Sequence, residues 1–395
     1  MIELSRRRFV RHIGLGGAGL SAALVIGRGR EALAFEGEAF QALQPPDDGL
    51  IHIDSNENAR GPGQSSIDAL RRAISPRVGR GYPPDYVGEL TRTIAGHYGV
   101  ATDRVIVSSG SGAILEAGVR AFCSAGKPLV TASPSYAAPE GTARRIGAPI
   151  RALPVDRDLK LDLNAMAEAA KGAGLVFVCN PNNPTATAQR FADVEQFVRR
   201  VKQESPETAI LIDEAYIDYT HDPAVKTAVP LTQEHAGVFV ARTFSKAHGM
   251  AGLRLGYGVG RTETVRAVAQ AWSLGSMNTL TAAAGITSMQ DTEHMDDERK
   301  ENARVRDFTL QAFKRLGYEA SDCHTNCVFV NLGRPAAEFR NACRQLGVAV
   351  GRDFPPMEKT HSRISLGTMD EMRKAVAVFQ KVLGKSTSAA ASLRR

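Results

Sequence analysis

Reactive side chains crowd into one stretch of this chain, Thr243-Phe244-Ser245-Lys246-Ala247-His248-Gly249-Met250-Ala251-Gly252-Leu253-Arg254-Leu255-Gly256. A lysine follows two hydroxyl residues and stands eight positions before an arginine in a glycine-rich run. Lysine is the side chain that condenses with an aldehyde to form an imine, and it does so best when its pKa is lowered. Hydroxyls beside an arginine suit a phosphate, which a guanidinium grips in a fixed bidentate geometry. Taken alone, Lys246 reads as an ordinary solvent-exposed lysine. Its chemistry therefore depends on three further clusters. Leu211-Ile212-Asp213-Glu214-Ala215-Tyr216 reads by itself as a strand followed by a capping carboxylate, and Cys179-Asn180-Pro181-Asn182-Asn183-Pro184-Thr185-Ala186 as a surface turn. Ser109-Gly110-Ser111-Gly112 is a turn leading into a helix expected near Ala113, and amides at such a terminus bind phosphate.

Each cluster follows a short apolar run. Residues 105–107, 128–131, 175–179, 210–212 and 238–241 read as buried strands, with amphipathic stretches such as 191–203 between them as helices. That alternation predicts a mainly parallel sheet covered by helices. From Thr292 the pattern changes. A charged helix containing Glu298, Arg299, Lys300, Glu301 and Arg304 leads to strands at 327–331 and 363–366 and a final helix at 370–383, a smaller α+β unit. The expected organisation is a leader at 1–34, an N-terminal arm at 35–62 joining the small domain, a large cofactor-binding domain at 63–290, the C-terminal small domain at 291–385 and a disordered tail at 386–395.

Taken together, the four segments resemble the fold-type I aminotransferases of class I and II, which use pyridoxal 5'-phosphate (PLP). The resemblance covers residues from about 50 to 385. It implies an α/β fold with a mainly parallel seven-stranded sheet in the large domain. It also implies that Lys246 holds PLP through a Schiff base and later moves the proton at the substrate α-carbon. Asp213 then pairs with the protonated pyridine nitrogen, so that the ring accepts electrons, while Tyr216 and Asn183 bond the ring 3'-oxygen. Thr243, Ser245, Arg254 and the turn Gly110, Ser111, Gly112 fall on phosphate positions. Tyr136, in Ser133-Pro134-Ser135-Tyr136, matches the residue that stacks on the ring. Tyr82, in Gly81-Tyr82-Pro83, matches a tyrosine that reaches the phosphate of a neighbouring subunit, which implies a homodimer with shared active sites. Two positions depart from the family pattern: Ala186 stands where the loop usually has glycine, and Gly112 and Ala113 where close relatives carry acidic residues.

For the substrate, Arg363 falls where the family places an arginine that clamps an α-carboxylate or, in one branch, a phosphate. Asn56, in Asp54-Ser55-Asn56-Glu57-Asn58, resembles the Asn-Glu-Asn segment of histidinol-phosphate aminotransferases, and Arg352, in Gly351-Arg352-Asp353-Phe354, points to the same branch. The implied reaction is a ping-pong transfer from an amino acid or amine, histidinol-phosphate-like or aromatic, to a 2-oxo acid. Decarboxylation, β-elimination or oxidation on the same fold are the alternatives. A catalytically idle PLP-binding protein is disfavoured by the intact set of Lys246, Asp213, Asn183, Tyr216 and Arg254.

The remaining features bound the partners. The net charge of +7 over 395 residues divides into +4 from residues 1–34 and +3 from the tail beginning at Lys385. The body is therefore neutral, which leaves no basic stripe for nucleic acid. Cys123, Cys179, Cys323, Cys327 and Cys343 lack metal-ligand spacing and read as buried small residues, so no metal is expected. A Cys323–Cys327 disulfide is the alternative if the chain is exported. Export is suggested by Ser5-Arg6-Arg7-Arg8-Phe9-Val10-Arg11, an apolar stretch at 12–27, and Ala32-Leu33-Ala34, which resemble a twin-arginine signal for the periplasm or secretion. The apolar part is too short for a membrane anchor. An uncleaved extension would leave the protein cytoplasmic. Export conflicts with a role in histidine biosynthesis, so a different amine substrate is expected.

Overall fold

The structure is a computed structural model that describes residues 48–75 and 85–384. The leader, Tyr82 and the tail lie outside the described residues. The first strand, β1 (Ile51–Ile53), is followed by seven strands of one sheet: β2 (Val105–Ser108), β3 (Leu129–Ser133), β4 (Ile150–Pro154), β5 (Leu175–Cys179), β6 (Ala209–Asp213), β7 (Val238–Thr243) and β8 (Gly256–Gly260). Their order is β2-β8-β7-β6-β5-β3-β4, parallel except where β8 runs against both of its neighbours.

The central strands are apolar on both faces because helices cover both. Val176 and Val178, Ile210 and Ile212, and Val238 and Val240 turn to one hydrophobic cluster, which includes Leu90, Ile94, Met166 and Phe197. The alternate residues Phe177, Leu211 and Phe239 turn to the other, with Ile114, Leu115 and Val119. This is the period of two that a strand imposes. The helix Phe191–Glu204 buries Val194, Phe197, Val198 and Val201, a spacing that keeps one stripe on the sheet.

The seven-stranded sheet includes two strands that no apolar run announces. β4 is an edge strand with exposed positions. β8 reads Gly-Tyr-Gly-Val-Gly, and its glycines are demanded by close packing: a Cβ at Gly256 would collide with the Ser111 amide, and one at Gly260 would crowd Phe239. The helix after β2 begins at Ser111, two residues before the expected Ala113.

The C-terminal region forms its own cluster from Val305, Phe313, Val328, Phe339, Ile364 and Phe379. Its strands are β9 (Glu319–Ala320), β10 (Cys327–Asn331), β11 (Val348–Val350) and β12 (His361–Ser365), with β10 between β9 and β12. β1 pairs in parallel with β11, so the N-terminal segment joins this region rather than the large sheet. The long helix Thr292–Arg315 is capped by the Asp291 carboxylate, and Met369–Leu383 by a reciprocal Thr368/Glu371 capping box. No helix among the described residues is long and apolar enough to cross a membrane.

Candidate active site

Register brings the chemistry together. Cys179 is paired with Asp213 and Asp213 with Ala241, so β5 and β6 finish level with one another and β7 runs two residues further, to Thr243. Ligands of open α/β sheets bind beyond such ends. Here they border a cavity of about 520 Å³. It is lined by Ser111, Gly112, Tyr136, Asn183, Asp213, Tyr216, Thr243, Ser245, Lys246, Arg254, Arg352 and Arg363, together with Asp54, Ser55, Glu57 and Cys179. Two residues singled out from the sequence, Gly110 and Asn56, stand just behind this lining.

At one end of the cavity Gly110, at φ +83°, caps the helix Ser111–Phe122. The Ser111 and Gly112 amides are among the first of the helix and have no partner within it. Arg254, itself left-handed at φ +57°, donates through Nη1 to the Ala251 carbonyl at 2.8 Å and to Ser245 Oγ at 3.3 Å. A Cβ at Gly110 would collide with Arg254 Nη2. Thr243 is turned partly to the loop, donating to the Leu255 carbonyl at 3.3 Å and accepting from the Ser245 amide at 3.1 Å.

Asp213 and Lys246 lie deeper. Asp213 is 3% exposed, accepts from the Ala215 amide at 3.2 Å, and has no cationic side chain within ion-pair distance among the described residues. Burial pushes its carboxyl up to about 7, the Ala215 bond opposing this. Burial also lowers the Lys246 amine to about 8, with the Arg363 charge acting in the same direction. Lys246 Nζ donates to the Asn56 carbonyl at 2.8 Å. Tyr216 Oη accepts from Asn56 Nδ2 at 3.2 Å and from Asn183 Nδ2 at 3.4 Å, which leaves its own proton to donate. Burial raises the Tyr216 phenol far above its ordinary range, so it acts as a hydroxyl.

Arg363 lies in the middle of β12, opposite Phe329, rather than at the strand's start. It donates through Nη1 to Asn183 Oδ1 at 2.9 Å and through Nη2 to the Asp54 carbonyl at 2.6 Å, while its buried Nε has no partner. Arg352 is exposed and donates to the Asp353 carbonyl at 3.2 Å. Both guanidiniums stand 4.6 Å from the centroid of the Phe354 ring. The two are thus held on one aromatic platform, a cation–π arrangement that orients them without neutralising them. Asn56 does not reach the cavity with its side chain. Its Oδ1 accepts from Ser365 Oγ at 2.7 Å and its Nδ2 turns to Tyr216 and Cys327, so its place is behind the lysine rather than against a substrate.

Reading the sequence missed Phe354, Ser365, Asn326 and the buried ion pair of Arg242 with Asp218. Ser365 carried a signal, since two positions after Arg363 in a strand means the same face. Arg242 sits next to Thr243, but its partner comes from another segment. All five cysteines are free and buried. Cys323 Sγ donates to the Ser321 carbonyl at 3.1 Å and Cys327 Sγ accepts from Asn56, so the two do not pair. No group of three His, Cys, Asp or Glu suited to a metal occurs among the described residues.

These features fit PLP on structural grounds. An unpaired buried carboxylate awaits a cation, a glycine-capped helix terminus beside an arginine awaits an anion, and a lysine of lowered pKa lies near both. The family model described as aminotransferase class I and II matches residues 48–379. The chain is 34% identical to the histidinol-phosphate aminotransferase of Symbiobacterium thermophilum over 337 residues, 85% of this chain and 91% of that one. It is 33% identical to the aromatic amino acid aminotransferase of Rhodococcus opacus, covering 82% and 87%. Its fold is similar to the crystal structure of a histidinol-phosphate aminotransferase from Sinorhizobium meliloti in complex with PLP, with a TM-score of 0.77, 25% identity, and 84% and 90% coverage.

Proposed function

This chain belongs to the class I and II aminotransferases, with PLP as cofactor, and on that premise we propose that it moves an amino group from a donor with an imidazole or aromatic side chain to a 2-oxo acid. The observation that carries the site assignment is the meeting, in one cavity, of the unpaired buried Asp213 and the pKa-lowered Lys246. When bound, PLP supplies an aldehyde carbon that condenses with amines and a protonated ring that accepts the electron pair left at a deprotonated α-carbon. Asp213 keeps the ring nitrogen protonated. Tyr216 and Asn183 orient the ring oxygen, and Tyr136 covers the ring face. Arg254, Ser245, Thr243 and the Gly110–Gly112 turn hold the phosphate. Lys246 would anchor the cofactor and, as the amine of lowered pKa in the cavity, would move the proton to and from the substrate α-carbon.

Arg363 binds the anionic group of donor and acceptor, and Arg352, against the same Phe354 ring, adds positive charge to the cavity. The aromatic and imidazole donors named in the relatives support this choice of substrate class. A screen of amino donors against 2-oxoglutarate tests it. Transfer from aromatic amino acids or histidinol-phosphate-like amines is the expected result, and transfer only from small aliphatic donors would sink the reading. We infer further that residues 1–34 direct export, supported by the ordered arginine, apolar and small-residue segments. Cell fractionation with N-terminal sequencing of the mature chain tests that. A homodimer sharing its sites through Tyr82 is the assembly this reading favours, and sedimentation of the holoenzyme checks it.

A further inference from the structure

A lysine displaced by a substrate amine needs somewhere to stand that keeps it within reach. The Asn56 carbonyl, which accepts from Lys246 Nζ at 2.8 Å, is such a place. Its position is not the relaxed one. Asn56 has φ +53°, left-handed, a region that non-glycine residues seldom adopt and that asparagine tolerates best. Contacts from two other segments impose it. Ser365 Oγ accepts from the Asn56 amide at 2.8 Å and donates to Asn56 Oδ1 at 2.7 Å. Asn326 Nδ2 donates to the Asn56 carbonyl at 3.1 Å and to the Glu57 carbonyl at 3.2 Å.

Asn326 is 2% exposed, lies in the turn before β10, and its backbone carbonyl accepts from the Leu366 amide at 2.9 Å. Its Oδ1 is buried with no partner among the described residues. Turning the amide over would set that oxygen against two carbonyl oxygens, so the orientation is dictated by the donors. A buried acceptor without a donor costs about 1–3 kcal/mol, and such exceptions call for an explanation. Here the amide gives up one bond to keep both hydrogens on the 56–57 backbone.

We propose that Asn326 is a positioning residue for the reaction: it holds the Asn56 carbonyl where the released Lys246 amine rests, and so keeps the proton carrier beside the substrate α-carbon. Asn326 carries no charge and works through geometry. The charges that face the amine are those of Arg363, Asp213 and Glu57, with the Cys327 thiol also close. Asn56 ties the same anchor to the ring end of the site through Tyr216 Oη. The inference rests on the aminotransferase reading in requiring that the lysine be released, but its deciding readout, acetylation of Lys246, uses no amino donor, so a failed donor screen leaves it standing.

The test is Asn326→Leu, of similar size, which removes both donors and the orphaned oxygen together. Losing both donors costs stability whichever role Asn326 plays, so the deciding readout is the Lys246 amine rather than the melting point. In the full-length chain freed of cofactor, acetylation of Lys246 by acetic anhydride is followed across pH by mass spectrometry, with a wild-type midpoint near 8. The variant's midpoint should fall by about half a unit or more, because a carbonyl that swings away no longer supports the ammonium form. In the holoenzyme, single-turnover conversion of the donor should slow about tenfold with KM nearly unchanged, the mark of an interaction made after binding. A midpoint that stays or rises overturns the proposal, whatever turnover does. If the leucine variant does not fold, Asn326→Ala is read by the same criterion.

Discussion

The two ends of the cavity are built differently. At the cofactor end several supports are local: the Asp213 carboxylate is held by the Ala215 amide two residues on, the Ser245 amide by Thr243 Oγ1, and Arg254 by Ala251 and Ser245, while Lys246 and Tyr216 lean on Asn56. At the substrate end the supports come from far away in the chain. Arg363 reaches Asp54 across 309 residues and Asn183 across 180, and Asn56 is held by Ser365 across 309. One end is a set of strand termini with short loops, and the other is an assembly of segments joined only by folding. Changes at the first end should therefore act on the chemistry itself, and changes at the second on affinity and placement.

Removing Lys246 should give the largest effect. Lys246→Ala is expected to lower turnover by about 10³-fold or more and to abolish the covalent cofactor band in the absorption spectrum. A variant that keeps both would break the assignment of the cofactor end. Asp213→Asn should follow, with turnover down roughly 10²–10³-fold, since the group aimed at the developing charge is lost. Its stability effect has the opposite sign. The Asp213 carboxyl in the cofactor-free fold sits at about 7 against an ordinary 3.8. The folded protein therefore binds that proton more readily than the unfolded chain. Its stabilising contribution is fullest below pH 4 and is lost as pH rises toward 7. Asp213→Asn removes that loss and should stabilise the cofactor-free protein on the order of 2–4 kcal/mol at pH 8 but hardly at pH 4. Urea melts at the two pH values measure the difference.

Arg363→Lys sharpens the contrast from the other end. It should raise KM for the 2-oxo acid by about 10–100-fold while leaving the cofactor band intact, because lysine offers a point charge where a fixed fork is needed. Loss of cofactor in this variant would show that the two ends are not separable. The smallest effect is expected at Ala186, which is left-handed at φ +62° and fully buried in the C-terminal cluster. Ala186→Gly relieves about 1 kcal/mol of backbone strain and gives up about 0.8 kcal/mol of methyl burial. Thermal melting should therefore move by less than about 2 °C.

What could be read before folding follows the same division. Asp213, Asn183 and Lys246 are legible because each follows an apolar strand in a short motif, and local sequence dictates local backbone. The helix at Ser111 was legible, but β8 was not, since its glycines answer to neighbours such as the Ser111 amide rather than to any apolar period. The Asn-Glu-Asn motif points Asn56 to a substrate role, whereas the structure turns it toward Tyr216, Ser365 and the lysine. Phe354 and Asn326 carried no pattern at all.

The sequence by itself determined the strand-and-helix alternation, the class of cofactor and the lysine proposed to hold it, because those depend on residues within a few positions of one another. Only the tertiary structure decided which side chains stand behind that lysine, that both arginines share the Phe354 ring, and that Cys323 and Cys327 remain apart. Those contacts join segments separated by much of the chain, or depend on where burial points each side chain, and neither is encoded in local spacing.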